Sequence, residues 1–120
     1  MPSTTTYKRG QVVVVNVPFA DHSGSKARPA LIISAEGFHR TLRDVIVCPI
    51  SSQPRYFQRP GPGDHPLRHW KDVGLRYPSA VRISNILAVD KKIIKRSLGR
   101  LRKDDLEQVD EGLRLAFTLA

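Results

Sequence analysis

From Gln11 to Val17 the chain reads Gln-Val-Val-Val-Val-Asn-Val, a β-branched run too short for a helix and halted by Pro18, which predicts a strand. Turn formers then crowd Asp21-His22-Ser23-Gly24-Ser25 before the apolar pattern returns over Ala30 to Ser34, so a polar loop leads into a second strand. A broken segment around Gly37 reads as a turn or short helix. Asp44 to Ile50 gives a third strand, whose Pro49 points to a sheet edge or a bulge. From Gln53 to Leu67 four prolines and two glycines interrupt the pattern, which predicts a long irregular loop.

Ser79 to Arg82 and Ile86 to Val89 read as short strands, with another near Leu98 to Leu101. Beyond Lys103 the period changes: Leu106, Val109, Leu113, Ala116 and Phe117 recur at helical spacing. Asp104, with Glu107 three residues later, fits an N-cap and its capping-box partner, so an amphipathic helix is predicted over 104–118. Gly112 inside it costs roughly 1 kcal/mol relative to alanine. No internal repeat or heptad run is visible. Five or six short strands without alternating helices, closed by one terminal helix, predict a mainly β fold built as a small, strongly bent sheet or barrel.

Composition narrows the partners. A length of 120 residues fits one domain, with 1–6 as a flexible polar N-terminus. Lys and Arg number 20 against 11 Asp and Glu, a formal net charge of +9 and a pI near 10.3. Such a field favours nucleic acid, an anionic membrane face or an acidic protein. No stretch approaches the ~20 apolar residues of a spanning helix, and Met1 to Tyr7 lack the apolar segment of a signal peptide, so no membrane partner and a cytoplasmic location are expected. The one cysteine, Cys48, lies in an apolar run and reads as a buried, inert thiol.

Three clusters carry candidate chemistry. In Lys26-Ala27-Arg28-Pro29 the proline biases Arg28 toward extended backbone at a loop and strand boundary, where a guanidinium suits a phosphate; the alternative is a solvated surface arginine. Ser51-Ser52-Gln53 offers two hydroxyls and an amide as the chain leaves the third strand, to contact a phosphate or ribose, or simply to form a turn. Arg82-Ile83-Ser84-Asn85 adds another guanidinium, and strand alternation would put Arg82 and Ser84 on one face. The loop residues Arg55, Tyr56, Phe57 and Arg59 mix cations with rings, as single-strand binding demands, or belong to a plain surface loop. His65 and His69 have helical metal-pair spacing, but Pro66 lies between them and no carboxylate or cysteine cluster supports them, so no metal is expected. Trp70 reads as a packing residue.

These segments resemble the MazF/PemK toxins over about Tyr7 to Phe117. The resemblance rests on Lys8-Arg9-Gly10-Gln11-Val12, on Lys26-Ala27-Arg28-Pro29-Ala30-Leu31-Ile32-Ile33-Ser34, and on Val47-Cys48-Pro49-Ile50-Ser51-Ser52-Gln53. Gly74-Leu75, Pro78-Ser79-Ala80-Val81-Arg82, Val89-Asp90-Lys91-Lys92 and Leu98-Gly99-Arg100-Leu101 continue it in order. It implies an SH3-like small barrel, a homodimer, and a metal-independent endoribonuclease without cofactor that cuts single-stranded RNA to leave 2′,3′-cyclic phosphate and 5′-hydroxyl ends. It also implies a cognate antitoxin whose acidic flexible tail occupies the RNA groove. Arg28 falls on the family's catalytic arginine, Ser51 on its usual catalytic threonine, His22 on a histidine implicated in RNA binding, and Arg82 on the arginine that the PemK branch uses as an acid. Lys26, Ser52, Gln53, Arg55, Tyr56, Phe57, Arg59 and Ser84 are the expected RNA-binding set.

Two departures matter. Ser51 keeps the hydroxyl of threonine but loses the methyl that holds its rotamer. Ser84 stands where the PemK branch often has an aspartate, so the proton acceptor falls to His22, or to Arg28 with solvent. The alternatives are a catalytically impaired RNA-binding relative and a gyrase-poisoning toxin like CcdB; the arginine and serine clusters argue against the latter.

Overall fold

The valine run of the first strand feeds two cores at once, which explains why it does not alternate with polar residues. In the computed structural model, which describes residues 6–18 and 25–119, β1 (Gln11–Pro18) sits between two strands of an antiparallel sheet. Val12 enters one core with Leu31, Cys48, Val81, Leu101 and Val109. Val13 and Val15 enter the other with Ala30, Ile32, Val45, Val47 and Val89. A strand covered on both faces reads as a continuous apolar run.

Six strands follow β1: β2 (Ser25–Ile32), β3 (Asp44–Ser51), β4 (Asp64–Pro66), β5 (Ala80–Arg82), β6 (Leu87–Asp90) and β7 (Ile94–Arg100). Their order is β4-β5-β3-β2-β1-β7, with β6 also on β3. The first half of β3 pairs β6 through Asp44 to Val47 and its end pairs β5 through Ile50 and Ser51. Pro49 falls in the gap between those two ladders, where its missing N–H leaves no partner unsatisfied. Register shifts between β1 and β7 at Val12/Val13 and Val14/Val15 bend the sheet. The expected class holds, mainly β with a C-terminal helix. The barrel is not closed, because β4 and β7 do not pair among the described residues.

Several expected boundaries move. Strand β2 begins at Ser25, inside the stretch read as loop, because Lys26 to Pro29 complete the ladder against Val14 to Val17 of β1. Pairing along the full length of β1 outweighs local turn chemistry there. The segment read as irregular over 53–67 holds α2 (Pro54–Gln58), started by a proline in its first turn, and β4. The segment around Gly37 is a short helix, α1 (Glu36–Thr41). Its His39 is buried: Nδ1–H donates to the Tyr7 carbonyl at 2.8 Å, and Nε2 accepts from the Ser34 hydroxyl at 2.5 Å.

The terminal helix, α3 (Lys103–Phe117), has Arg102 as N-cap with no side-chain cap, so the expected capping box does not form. Asp104 instead meets His69 Nε2 at 2.9 Å, and buried Asp105 accepts from the backbone N–H groups of Arg68 and His69, both at 2.9 Å. These tertiary partners replace the local cap. Arg9 fixes the helix to the start of β1, donating from Nε to the Ile33 carbonyl at 2.9 Å and from Nη2 to Asp110 Oδ1 at 2.6 Å. Gly112 is where α3 presses on the sheet side, against His65 and Ile83. No helix among the described residues is long and apolar enough to cross a membrane.

Candidate active site

Arg28 and Ser51 line one cleft, at the place where β2 and β3 part. Ala30 pairs Pro49, Leu31 pairs Cys48 and Ile32 pairs Val47. Arg28 and Ser51 each lie two residues beyond the last of these rungs. The ladder stops at Ala30, beside Pro29 with its missing N–H, and a cleft of about 350 Å³ opens there. Arg28, Ser51, Ser52, Gln53 and Lys26 all line it. Its remaining wall comes from Val14, Ile50, Leu98 and Arg96, and from the segment Gly74 to Tyr77.

Gly74 ends a 3-10 turn (Trp70–Val73) with φ +86°, a left-handed conformation that favours glycine, and so turns residues 75–77 along the cleft. Ser79 Oγ donates to the Tyr77 carbonyl at 2.8 Å and holds that segment. Ser51 Oγ accepts from Gln53 N–H at 3.2 Å, which leaves its own O–H to donate elsewhere.

Charge sets this cleft apart. Lys26, Arg28, Arg76 and Arg96 line it, and among the described residues no carboxylate does. Among the described residues none of the four forms an ion pair, whereas Arg9, Arg40, Arg68, Arg82, Arg102 and Arg114 each meet an Asp or Glu. Arg96 stands opposite Val14, itself opposite Pro29, and Arg28 is the next residue along β2, opposite Val15. Four unpaired cations facing one concave surface create a site for a polyanion.

A second cluster lies one strand over. Arg82 follows Val81 and Ala80, and Ala80 pairs Ser51 on β3. The Arg82 Nε donates to Asp64 Oδ1 at 3.4 Å, its Nη2 to Ser84 Oγ at 3.3 Å, and its guanidinium lies 3.9 Å from the centroid of the Tyr56 ring. Arg55 adds a second cation at 4.7 Å from that ring and donates to the Tyr56 hydroxyl at 2.7 Å. Strand β5 ends at Arg82 and Ile83–Asn85 is a 3-10 turn, so Arg82 and Ser84 meet through that turn and not through strand alternation. Neither lines the cleft of Arg28.

The sequence profile of the PemK-like, MazF-like toxins of type II toxin-antitoxin systems matches residues 8–117. The chain belongs to that family. No curated protein matches the chain significantly. Solved structures similar to it include an endoribonuclease in complex with its cognate antitoxin from a mycobacterial species (19% identity, 98% of each chain covered, TM-score 0.75). MazE-MazF from Deinococcus radiodurans is 19% identical, with 97% of this chain and 100% of that one covered and a TM-score of 0.77. The Mycobacterium tuberculosis toxin MazF-mt6 is 26% identical, over 90% and 98% of the two chains, with a TM-score of 0.68.

The other residues singled out for this MazF-like chain are distributed as follows. His22 lies outside the described residues, as does most of the polar segment 1–6. Phe57 is half-buried on α2 and Arg59 is exposed just after it. His65 and His69 are separate: His65 packs on Gly112, and His69 sits between Asp104 and Asp72 at the foot of α3. Among the described residues no group of three or more metal-ligating side chains converges. Trp70 packs against the first core. Burial pushes the Cys48 thiol up to about 12, which keeps it protonated and inert. The cleft residues that sequence reasoning missed are Arg76, Tyr77 and Arg96.

Proposed function

We propose that this MazF/PemK-family chain is the toxin of a type II toxin–antitoxin pair and a metal-independent endoribonuclease that cleaves single-stranded RNA. The observation that carries the reading is the cleft shared by Arg28 and Ser51, which Lys26, Arg76 and Arg96 also line and to which no carboxylate among the described residues contributes. In this reaction a ribose 2′-hydroxyl loses its proton and its oxygen bonds to the adjacent phosphorus. The P–O5′ bond then breaks and the leaving 5′-oxygen takes up a proton, giving 2′,3′-cyclic phosphate and 5′-hydroxyl ends.

Negative charge builds on the phosphoryl oxygens in the transition state, and donors already aimed at that charge lower the barrier. Arg28 supplies a planar fork that stays protonated, and Ser51 donates its O–H to a nonbridging oxygen. Lys26 and Arg96 hold neighbouring phosphates. His22 is the proton acceptor in this scheme, an imidazole being a side chain that can take up and release a proton near neutral pH. Arg82, tied to Asp64 and Tyr56, belongs to the flanking RNA surface. The chain acts as a homodimer, and its antitoxin presents an acidic segment to the same basic cleft.

The test is cleavage of single-stranded RNA by purified protein in the presence of EDTA, with chemical mapping of the new ends. Cyclic-phosphate ends that vanish in Arg28→Ala are expected. RNA left intact by the wild type sinks the enzymatic reading: salt-dependent binding without cuts identifies an impaired RNA-binding relative, and inhibited gyrase with undamaged RNA identifies a CcdB-like poison.

A further inference from the structure

Single-strand recognition combines cations that track the phosphates with an aromatic face on which a base stacks. Tyr56, the ring nearest the serine turn in sequence, is already occupied, because the guanidiniums of Arg82 and Arg55 lie over it and Arg55 holds its hydroxyl. Tyr77 differs on every count. It lines the cleft, it is 63% exposed, and among the described residues its ring has no cation over it and its hydroxyl no partner. Its backbone is held on the C-terminal side, by Pro78 with its fixed φ and by the Ser79 hydroxyl on the Tyr77 carbonyl. A large ring left in water on an anchored segment gains nothing from core packing. Among the described residues it is also the one aromatic side chain lining a cleft whose other prominent groups are Lys26, Arg28, Arg76 and Arg96.

We infer that Tyr77 is the stacking platform of this cleft, taking a nucleobase of single-stranded RNA while Arg76 and Arg96 hold the phosphates that flank it. This rests on the RNA reading above and adds to it the residue that grips a base. Stacking is indifferent to hydrogen-bond pattern, so Tyr77 contributes affinity for any base and positions the strand relative to Arg28.

The test uses fluorescence anisotropy with two uncleavable probes, a short 2′-O-methyl RNA of mixed sequence and an abasic oligonucleotide with the same backbone. Tyr77→Ala is expected to weaken binding of the base-bearing probe by about 5- to 100-fold and to leave the abasic probe unchanged. Tyr77→Trp keeps binding, and Arg96→Ala weakens both probes. Thermal melting of each variant at the wild-type temperature shows that the fold is intact. Unchanged binding by Tyr77→Ala, with Arg96→Ala still weakened, overturns the stacking role and leaves the RNA reading standing. Equal weakening on both probes also overturns it, because the residue then shapes the cleft and does not grip a base. A wild type that binds neither probe removes the RNA reading itself.

Discussion

The imidazole of His65 lies so close to the backbone of Gly112 that helix α3 has no room for a Cβ at that position, which would collide with the ring and with Ile83. A glycine that looks like a cost in a helix interior is therefore the contact that lets α3 seat. Gly112→Ala gains the ~1 kcal/mol of better helix propensity but meets overpacking worth about 1–3 kcal/mol. A net loss of stability is expected, read as a lower urea midpoint at unchanged m. A higher midpoint would show that the helix can shift away from the sheet at little cost.

The same contact makes stability sensitive to mild acid. Burial holds the His65 imidazole below its ordinary 6.5, with the nearby Asp64 charge acting in the opposite sense. In the folded protein the ring stays neutral, while the unfolded chain takes up a proton as the pH falls through about 6.5. Stability contributed by neutral His65 is thus fully present above 6.5 and is lost as the pH falls toward the lower folded value. His65→Gln is expected to flatten the fall in melting temperature between about pH 7 and pH 5. An unchanged slope would place the sensitivity elsewhere.

Asp104 acts at lower pH. Its hydrogen bond with His69, then the His69 charge, holds the carboxyl below its ordinary 3.8, against some desolvation. A depressed carboxylate stabilises above its unfolded value and stops doing so as the pH falls through the folded one. Asp104→Asn is expected to lose less melting temperature than the wild type on acidification below about pH 4, a small effect at an exposed site.

Arg28 carries no ion pair among the described residues, so its removal separates chemistry from folding. Arg28→Ala is expected to lower the RNA cleavage rate by about 10²- to 10³-fold, the scale of one lost donor to a developing charge. Its stability should stay within about 0.5 kcal/mol of wild type. Arg28→Lys keeps the charge without the planar fork and should not restore the rate. Full activity in Arg28→Ala would remove the residue from the mechanism.

Arg9 and Asp110 join β1 to α3 at 2.6 Å, each partly shielded from solvent. Asp110→Asn is expected to cost about 1 kcal/mol by chemical denaturation, the worth of a well-formed but half-exposed charged contact.

How far the sequence reaches depends on whether a residue's fate is decided locally. The strand at Val12 to Val15 and the helix through Val109 and Leu113 were legible, because β-branching and helical period act over neighbouring residues. The start of β2 was not, since Ser25 and Lys26 enter the sheet only because β1 offers them a partner. Asp104 looked like a cap and found His69 instead, 35 positions away. That Arg28 and Ser51 line one cleft follows from where β2 and β3 part, which no local pattern marks. Arg96 escaped because the strand it belongs to was read only from Leu98 onward, and Tyr77 because an aromatic between Arg76 and Pro78 has no local mark of a cleft.

The β6 ladder of β3 ends at Val47, the β5 ladder begins at Ile50, and β2 parts from β3 after Ala30, so Arg28 and Ser51 lie just past the last rung that their two strands share. Arg28 is held instead by β1, opposite Val15, and Ser51 by β5, opposite Ala80. Each residue thus sits in a ladder on the far side of its own strand, so the segments after Ser51 and around Gly74 can change in length and composition without loosening either of them.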